Sequence, residues 1–296
     1  MGNPFIDDIK NQYKNGSVLI KLIFVNVAIF LGIHVIGNLF FLFKIPNGVE
    51  VLIKWLALPS SFTQIIYKPW TVLSYMFLHE ELWHMLMNMF VFYFGARIFS
   101  QFLSEKKLLV VYLLGGLAGG LIFVLSFNVF PVFENASGIA LGASASVMAI
   151  LIAVSSYVPN FVVRLMFIGD AKLKYIALVY ILIDIASIQG SNSGGHIAHL
   201  GGALFGFFYI QQLKKGKDFT IGFSRFLDAL KNAFKPRKIM KVVYKKQRKT
   251  KTDQAYNNQK VANQKKVDGI LDKISKSGYD SLSADEKSIL FDASKK

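Results

Sequence analysis

Leu141-Gly142-Ala143-Ser144-Ala145-Ser146 opens an apolar run that reaches Val158. The run sets a hydroxyl, flanked by small residues, at the mouth of what reads as a membrane-spanning helix. Polar groups at membrane depth are costly and are kept there for function. The rest of the chain can therefore be asked whether it brings a base and a set of hydrogen-bond donors to Ser144.

Composition favours a membrane protein before any motif is weighed. The chain has 296 residues, is 53% hydrophobic and has a mean hydropathy of +0.42. Several apolar runs approach the ~20 residues that cross a bilayer. Cysteine is absent, which removes disulfides, Cys-zinc sites and thiol catalysis at once. The net charge of +16 sits almost wholly in the tail. Residues 1–212 carry 12 Lys/Arg against 9 Asp/Glu, whereas residues 213–296 carry 22 against 9. A basic tail beside a membrane is expected on the cytoplasmic side, on anionic lipid. No recognition motif accompanies the charge, so nucleic acid is not an expected partner.

Outward from Ser144, the chain reads as a cytoplasmic segment 1–16, a membrane domain 17–212, a basic and partly disordered linker 213–266, and a small helical hairpin 267–296. Within the membrane domain, spans are expected at about 17–43, 82–102, 108–128, 142–158, 174–189 and 196–212. The connection 44–81 is long enough to be structured. The fold class is all-α with six spans, and the Lys/Arg bias gives an N-in, C-in topology, with Lys44, Lys54 and Lys68 dissenting. Gly115/Gly119 and Gly116/Gly120, Ala145/Ala149/Ala153 and Ala198/Gly202/Gly206 are the spacings that let membrane helices approach closely. In the tail, Phe219, Phe223, Phe226, Leu227, Leu230 and Phe234 recur at helical spacing, suiting either an interfacial helix or one docked on the body. Ser283-Ala-Asp-Glu286 reads as a capping box.

Five histidines are present: His34, His79, His84, His196 and His199. With six spans, the even-numbered ones begin on one membrane face. His84 and Asn88, Ser144, and His196 then converge at similar depth. This suits acyl transfer, in which an imidazole takes the serine proton and donors hold the oxyanion. The free amides at the start of span four offer Ser144's own N–H, and His84 and Asn88 share a helix face. Taken singly, each residue also suits plain helix packing, and the joint placement decides. His34 and His79 read as structural. His199 follows His196 by three and can face the same way, but with no carboxylate or third ligand spaced to help, no metal is expected. For Asp184, a structural polar contact is the first reading and orientation of His196 the second. The order Ser144…Asp184…His196 is that of α/β hydrolases, but the surrounding sequence lacks alternating strands.

Three segments resemble the rhomboid intramembrane serine proteases: His84-Met-Leu-Met-Asn88, Gly142-Ala143-Ser144, and Gly195-His196-Ile197-Ala198-His199-Leu200-Gly201-Gly202. Pro69-Trp70 and Tyr75-Met76-Phe77-Leu78-His79 are similar to that family too. The resemblance covers about 17–212. It implies a rhomboid-type six-helix bundle in a bacterial plasma membrane, with a Ser144–His196 dyad open to the extracytoplasmic side. It also implies His84, Asn88 and the Ser144 amide as oxyanion donors, no cofactor, and hydrolysis of peptide bonds in or beside transmembrane segments of substrate proteins. Ala145 stands where the family often has Gly, and Lys54-Trp55 replaces its Trp-Arg pair. The C-terminal hairpin resembles an extension of some bacterial rhomboids. The alternative is a catalytically silent rhomboid-like chaperone or adaptor that binds transmembrane helices in the same cleft. A transporter is disfavoured because no inverted repeat is visible.

Overall fold

The computed structural model describes residues 12–165, 169–233 and 253–294, and the chain falls into two units, Met1–Lys235 and Pro236–Lys296. Most of the N-terminal segment, Phe234 and the basic stretch 235–252 lie outside the described residues.

The first unit is built from helices. They are α1 Val18–Leu42, α2 Gly48–Leu56, α3 Phe62–Tyr67, α4 Thr71–Ser74, α5 Leu82–Phe102, α6 Glu105–Val129, α7 Ser144–Tyr157, α8 Leu173–Ser187, α9 Ser193–Lys214 and α10 Thr220–Ala233. Serine and asparagine side chains begin three of the long ones. Ser17 accepts from the Ile20 amide at 3.3 Å, Ser104 from Lys107 at 3.4 Å and Asn192 from Gly195 at 3.2 Å, each satisfying an otherwise orphan N–H of the first turn. Of the six expected spans, α1 and α6 are long and apolar enough to cross a membrane. α5 and α9 have the length, but His84, Asn88 and Arg97 on one and two histidines and two glutamines on the other dilute their hydropathy. α7 and α8 have 14 and 15 residues.

α7 is the centre of the unit. Eleven of its 14 residues are buried, and α5, α6, α8 and α9 all pack on it. The small-residue stripes make this close packing feasible. A methyl group at Gly115 would strike the Ala149 side chain, one at Gly202 the Ala145 carbonyl, and one at Gly206 the Ala149 carbonyl. α6 and α9 also meet directly, with Gly119 against Ala198 and Gly201. In a lipid solvent such contact supplies the van der Waals attraction that holds helices together.

A buried polar relay fixes the connection before α5. Asn26 Nδ2 of α1 donates to the Tyr112 hydroxyl at 3.2 Å. Tyr112 in turn donates to the Met76 carbonyl at 3.1 Å. Tyr75 Oη donates to the Gly116 carbonyl at 2.5 Å. Tyr112→Phe leaves the Met76 carbonyl and the Asn26 amide short of a buried partner. It is expected to cost about 1–3 kcal/mol, read as a lowered melting temperature in detergent; an unchanged value would mean the relay contributes nothing.

The connection 44–81 is structured, as expected. Trp55 and Trp70 stack at 5.4 Å and 13°, Trp70 Nε1 donates to the Trp55 carbonyl at 2.7 Å, and Lys68 Nζ lies 5.3 Å over the Trp55 ring. Two short antiparallel pairings complete the unit: β1 (Leu58–Pro59) with β2 (Ile139–Ala140), and β3 (Val162–Leu165) with β4 (Gly169–Lys172). The first ties this connection to the strand that leads into Ser144. α10 docks on the body, the second of its two expected readings. Phe219, just before it, packs on Phe205, Phe208 and Tyr209. Lys106 and Lys107 pair with Asp228 and Asp218 at 3.4 and 2.9 Å.

In the second unit, the stretch expected to lack structure to residue 266 is helical from Asp253 onward. α11 (Asp253–Ser277) is followed by Gly278 at φ +77° and by α12 (Ala284–Ser294). The capping box forms, with Ser283 N donating to Glu286 Oε2 at 2.8 Å and Glu286 N to Ser283 Oγ at 3.3 Å. Lys273 pairs with Glu286 across the hairpin at 2.9 Å.

Candidate functional site

The turn before α7 sets the site. Gly142 has φ +118°, a conformation that L side chains rarely adopt. Its N–H donates to the Tyr75 carbonyl at 2.9 Å. A methyl group there would lie 3.1 Å from His84 Cε1 and 3.7 Å from Ser144 Oγ. The glycine thus lets the His84 ring and the Ser144 hydroxyl border one spot. Ser144 is half-buried at the first position of α7, where the amides lack intrahelical acceptors. Ser146 is buried, and its Oγ has no hydrogen-bond partner; it serves packing against Gly116.

His79 proves to be part of this construction. It is fully buried, its Nε2 accepts from the Ala143 N–H at 3.4 Å, and its ring meets His84 edge-on at 5.4 Å. The expectation for His79 is a structural role, and its position in a connection carries no signal that it reaches the turn at Ala143. Asn88 is buried on the same face of α5 as His84, and its Nδ2 donates to the His84 carbonyl at 3.0 Å. His34 lies apart, its Nδ1 paired with the Phe30 carbonyl within α1.

Asp184 carries more than the sequence suggested. Its Oδ1 lies 2.8 Å from His196 Nδ1 and 2.8 Å from His199 Nδ1. The carboxylate is almost wholly buried on α8, while each imidazole retains about a fifth of its exposure. Asp184 therefore orients both histidines. Among the described residues no hydrogen bond joins Ser144 to His196 or His199. The structure sets the His84 ring beside the Ser144 turn, with Asn88 one turn further along α5, and gathers His196 and His199 around Asp184. A cavity of about 500 Å³ lies elsewhere, lined by residues such as Lys54, Lys68, Ser60 and Asn128.

Comparison with known proteins assigns this arrangement. Residues 67–215, just over half the chain, match the Rhomboid domain. The chain belongs to the rhomboid family. Residues 250–296 match a second model, a family of unknown function (DUF6576). Among curated proteins, the rhomboid is similar to presenilin-associated rhomboid-like protein A, mitochondrial, of Danio rerio. They share 32% identity over 179 residues, which is 56% of this chain and 43% of that protein. The corresponding mitochondrial proteins of Bos taurus and Homo sapiens are 30% and 28% identical over 179 residues, 58% of this chain and 44% of theirs. The chain spans less than half the length of these relatives.

Two expectations are corrected by these comparisons. The relatives are named as rhomboid-like proteins, and none of those names states a peptidase. The comparisons therefore favour the rhomboid-like member without proteolysis over the serine endopeptidase. The expected bacterial plasma membrane is corrected as well, because the relatives are mitochondrial proteins.

Proposed function

We propose that this rhomboid is a membrane-embedded adaptor or chaperone that holds a transmembrane segment of another protein beside the Ser144 end of α7. In this reading α1 and α5 to α9 all lie in the bilayer, with both termini on one side. The domain limits are those read from the sequence, and the basic tail rests on anionic lipid. The relatives' names favour a mitochondrial membrane.

One observation carries the reading. α5 and α8 both pack on α7, yet they make at most marginal contact with one another. Each presents an apolar outer face, with Trp83, Met87 and Phe90 exposed on α5 and Leu178 and Leu182 on α8. A second hydrophobic helix is the natural occupant of such a space between two lipid-compatible faces. The donors behind it, Ser144, His84 and Asn88, suit backbone carbonyls freed where a bound segment leaves helical geometry. Such carbonyls need a partner inside a membrane.

Photo-crosslinkers at Met87 and Leu182 are expected to trap intact membrane proteins, whereas one at Val35 on α1 should not. Equal yields from all three positions would remove the proposed groove. Labelling by a fluorophosphonate that Ser144→Ala abolishes would overturn the non-proteolytic reading.

A further inference from the structure

We propose that the cavity beside the β1–β2 pairing binds a phosphate-class anion, with the headgroup of an anionic lipid as its source. The cavity measures about 500 Å³, within the range of small-ligand sites, about 300–1,000 Å³. Three separate stretches line it: residues between 54 and 68 of the connection, Phe127 and Asn128 at the end of α6, and residues 136–139 leading into β2. Lys54 and Lys68 contribute to the wall, and among the described residues no carboxylate does. Lys68 has no ion pair among the described residues. Its Nζ donates to the Lys54 carbonyl at 3.3 Å and lies 5.3 Å over the Trp55 ring, two contacts that hold the ammonium in place and leave donor hydrogens unused. Lys54 pairs with Glu50 at 2.5 Å, but both side chains are 58% exposed, and so open a pair contributes little.

Neutral donors complete the set. Ser60 is buried, and its Oγ accepts from the Gly138 N–H at 3.0 Å, so its own proton is available to a ligand. Ser61 precedes α3 without capping it, and neither Gln64 nor Ser137 has a side-chain hydrogen bond among the described residues. Two ammonium groups with hydroxyl and amide donors are the complement of phosphate oxygens. The margins point to a lipid. Ile66 and Tyr67 stand between Gln64 and Lys68 in the chain, and Val129 and Phe130 follow Asn128; all four are exposed. A polar hollow with apolar margins suits a molecule with a charged head and hydrocarbon chains. The lysines agree with this source. With both termini on one side, the connection 44–81 lies on the opposite face, where the charge bias disfavours lysine, and Lys54 and Lys68 are two of the three residues that break it. That last point rests on the proposed topology; the cavity and its lining do not. A bound headgroup would tie the connection to the strand that leads into Ser144.

The full chain, washed free of lipid in detergent, is incubated with mixed micelles of phosphatidylglycerol or of phosphatidylcholine, and retained lipid is counted by native mass spectrometry. The wild type is expected to retain phosphatidylglycerol about tenfold or more over phosphatidylcholine. Lys54→Gln and Lys68→Gln should each weaken that retention by about fivefold. Lys44→Gln removes a charge from the same connection but not from the cavity wall, and should leave it unchanged. The basic tail is the same in every variant, so the differences report the cavity. Ser137→Phe fills the space while keeping both lysines; its loss of retention decides the matter if Lys68→Gln does not fold. Inorganic phosphate that raises the wild-type melting temperature while phosphatidylglycerol is not retained would overturn the lipid source. Equal retention of the two lipids, or equal loss in Lys44→Gln and Lys68→Gln, would overturn the site. The lipid count needs no bound transmembrane segment, so it and the crosslinks at Met87 and Leu182 fail independently.

Discussion

Gly202→Val is expected to leave little folded protein after extraction into detergent, and Gly32→Val to be without effect. The contrast follows from what each new side chain meets. At Gly202 even a methyl group runs into the carbonyl of Ala145, and the next atoms are the same residue's C and Cα; at Gly32 nothing lies within 4 Å. Overpacking a core usually costs about 1–3 kcal/mol because neighbouring side chains can turn aside. The obstacle here is helical backbone. α7 cannot retreat from α9, because α5 and α6 hold its other sides. The cost should therefore reach the upper end of that range or beyond it, a large part of a stability of about 5–15 kcal/mol. Thermal melts and size-exclusion profiles of both variants provide the check. Equal behaviour would mean that α7 and α9 are not in backbone contact.

Acid is expected to destabilise the fold between about pH 6.5 and pH 4 through His79. Burial, with a contribution from the charge of nearby His84, lowers the His79 pKa from 6.5 to about 4. Within that window the unfolded chain binds a proton that the native state excludes, so stability falls as the pH drops. Above the window this group contributes no slope. At 1.36 kcal/mol per unit the loss approaches about 3 kcal/mol at the acid end. His79→Gln retains an acceptor for the Ala143 amide without a titrating ring. Its melting temperature should decline less steeply between those limits, and a profile parallel to wild type would assign the acid sensitivity elsewhere.

The helices were legible because apolar runs bounded by serine, asparagine and proline leave few alternatives. The glycine and alanine stripes were legible because close approach demands small residues at fixed spacing. The approach of His84 to the Ser144 turn was legible as part of the expected meeting of His84, Asn88, Ser144 and His196, which takes the even-numbered spans to begin on one face. Three features were not legible. The reach of His79 to Ala143 depends on how a connection folds back, and nothing periodic records that. The pairing of Leu58–Pro59 with Ile139–Ala140 joins two-residue strands about 80 positions apart, too short to leave an alternating pattern. The sharing of Asp184 by two histidines depends on the rotation of α8 against α9, which sequence spacing within either helix does not determine. In the tail, the linker to 266 is expected to be partly disordered, yet straight-chain Lys and Gln are good helix formers, and from Asp253 the chain is a helix.

The brevity of α7 has a consequence for the surrounding lipid. At 1.5 Å per residue its 14 residues span about 21 Å, against a hydrocarbon core of about 30 Å. In a protein that crosses the bilayer, such a helix cannot reach both surfaces. Because its neighbours encase it, the bilayer need not thin to match it, and the mismatch is absorbed by the protein packed around its two ends. The surroundings of the Ser144 turn are then set by the helices packed on α7, and changing the thickness of the host membrane should move the outer helices while leaving those surroundings nearly constant.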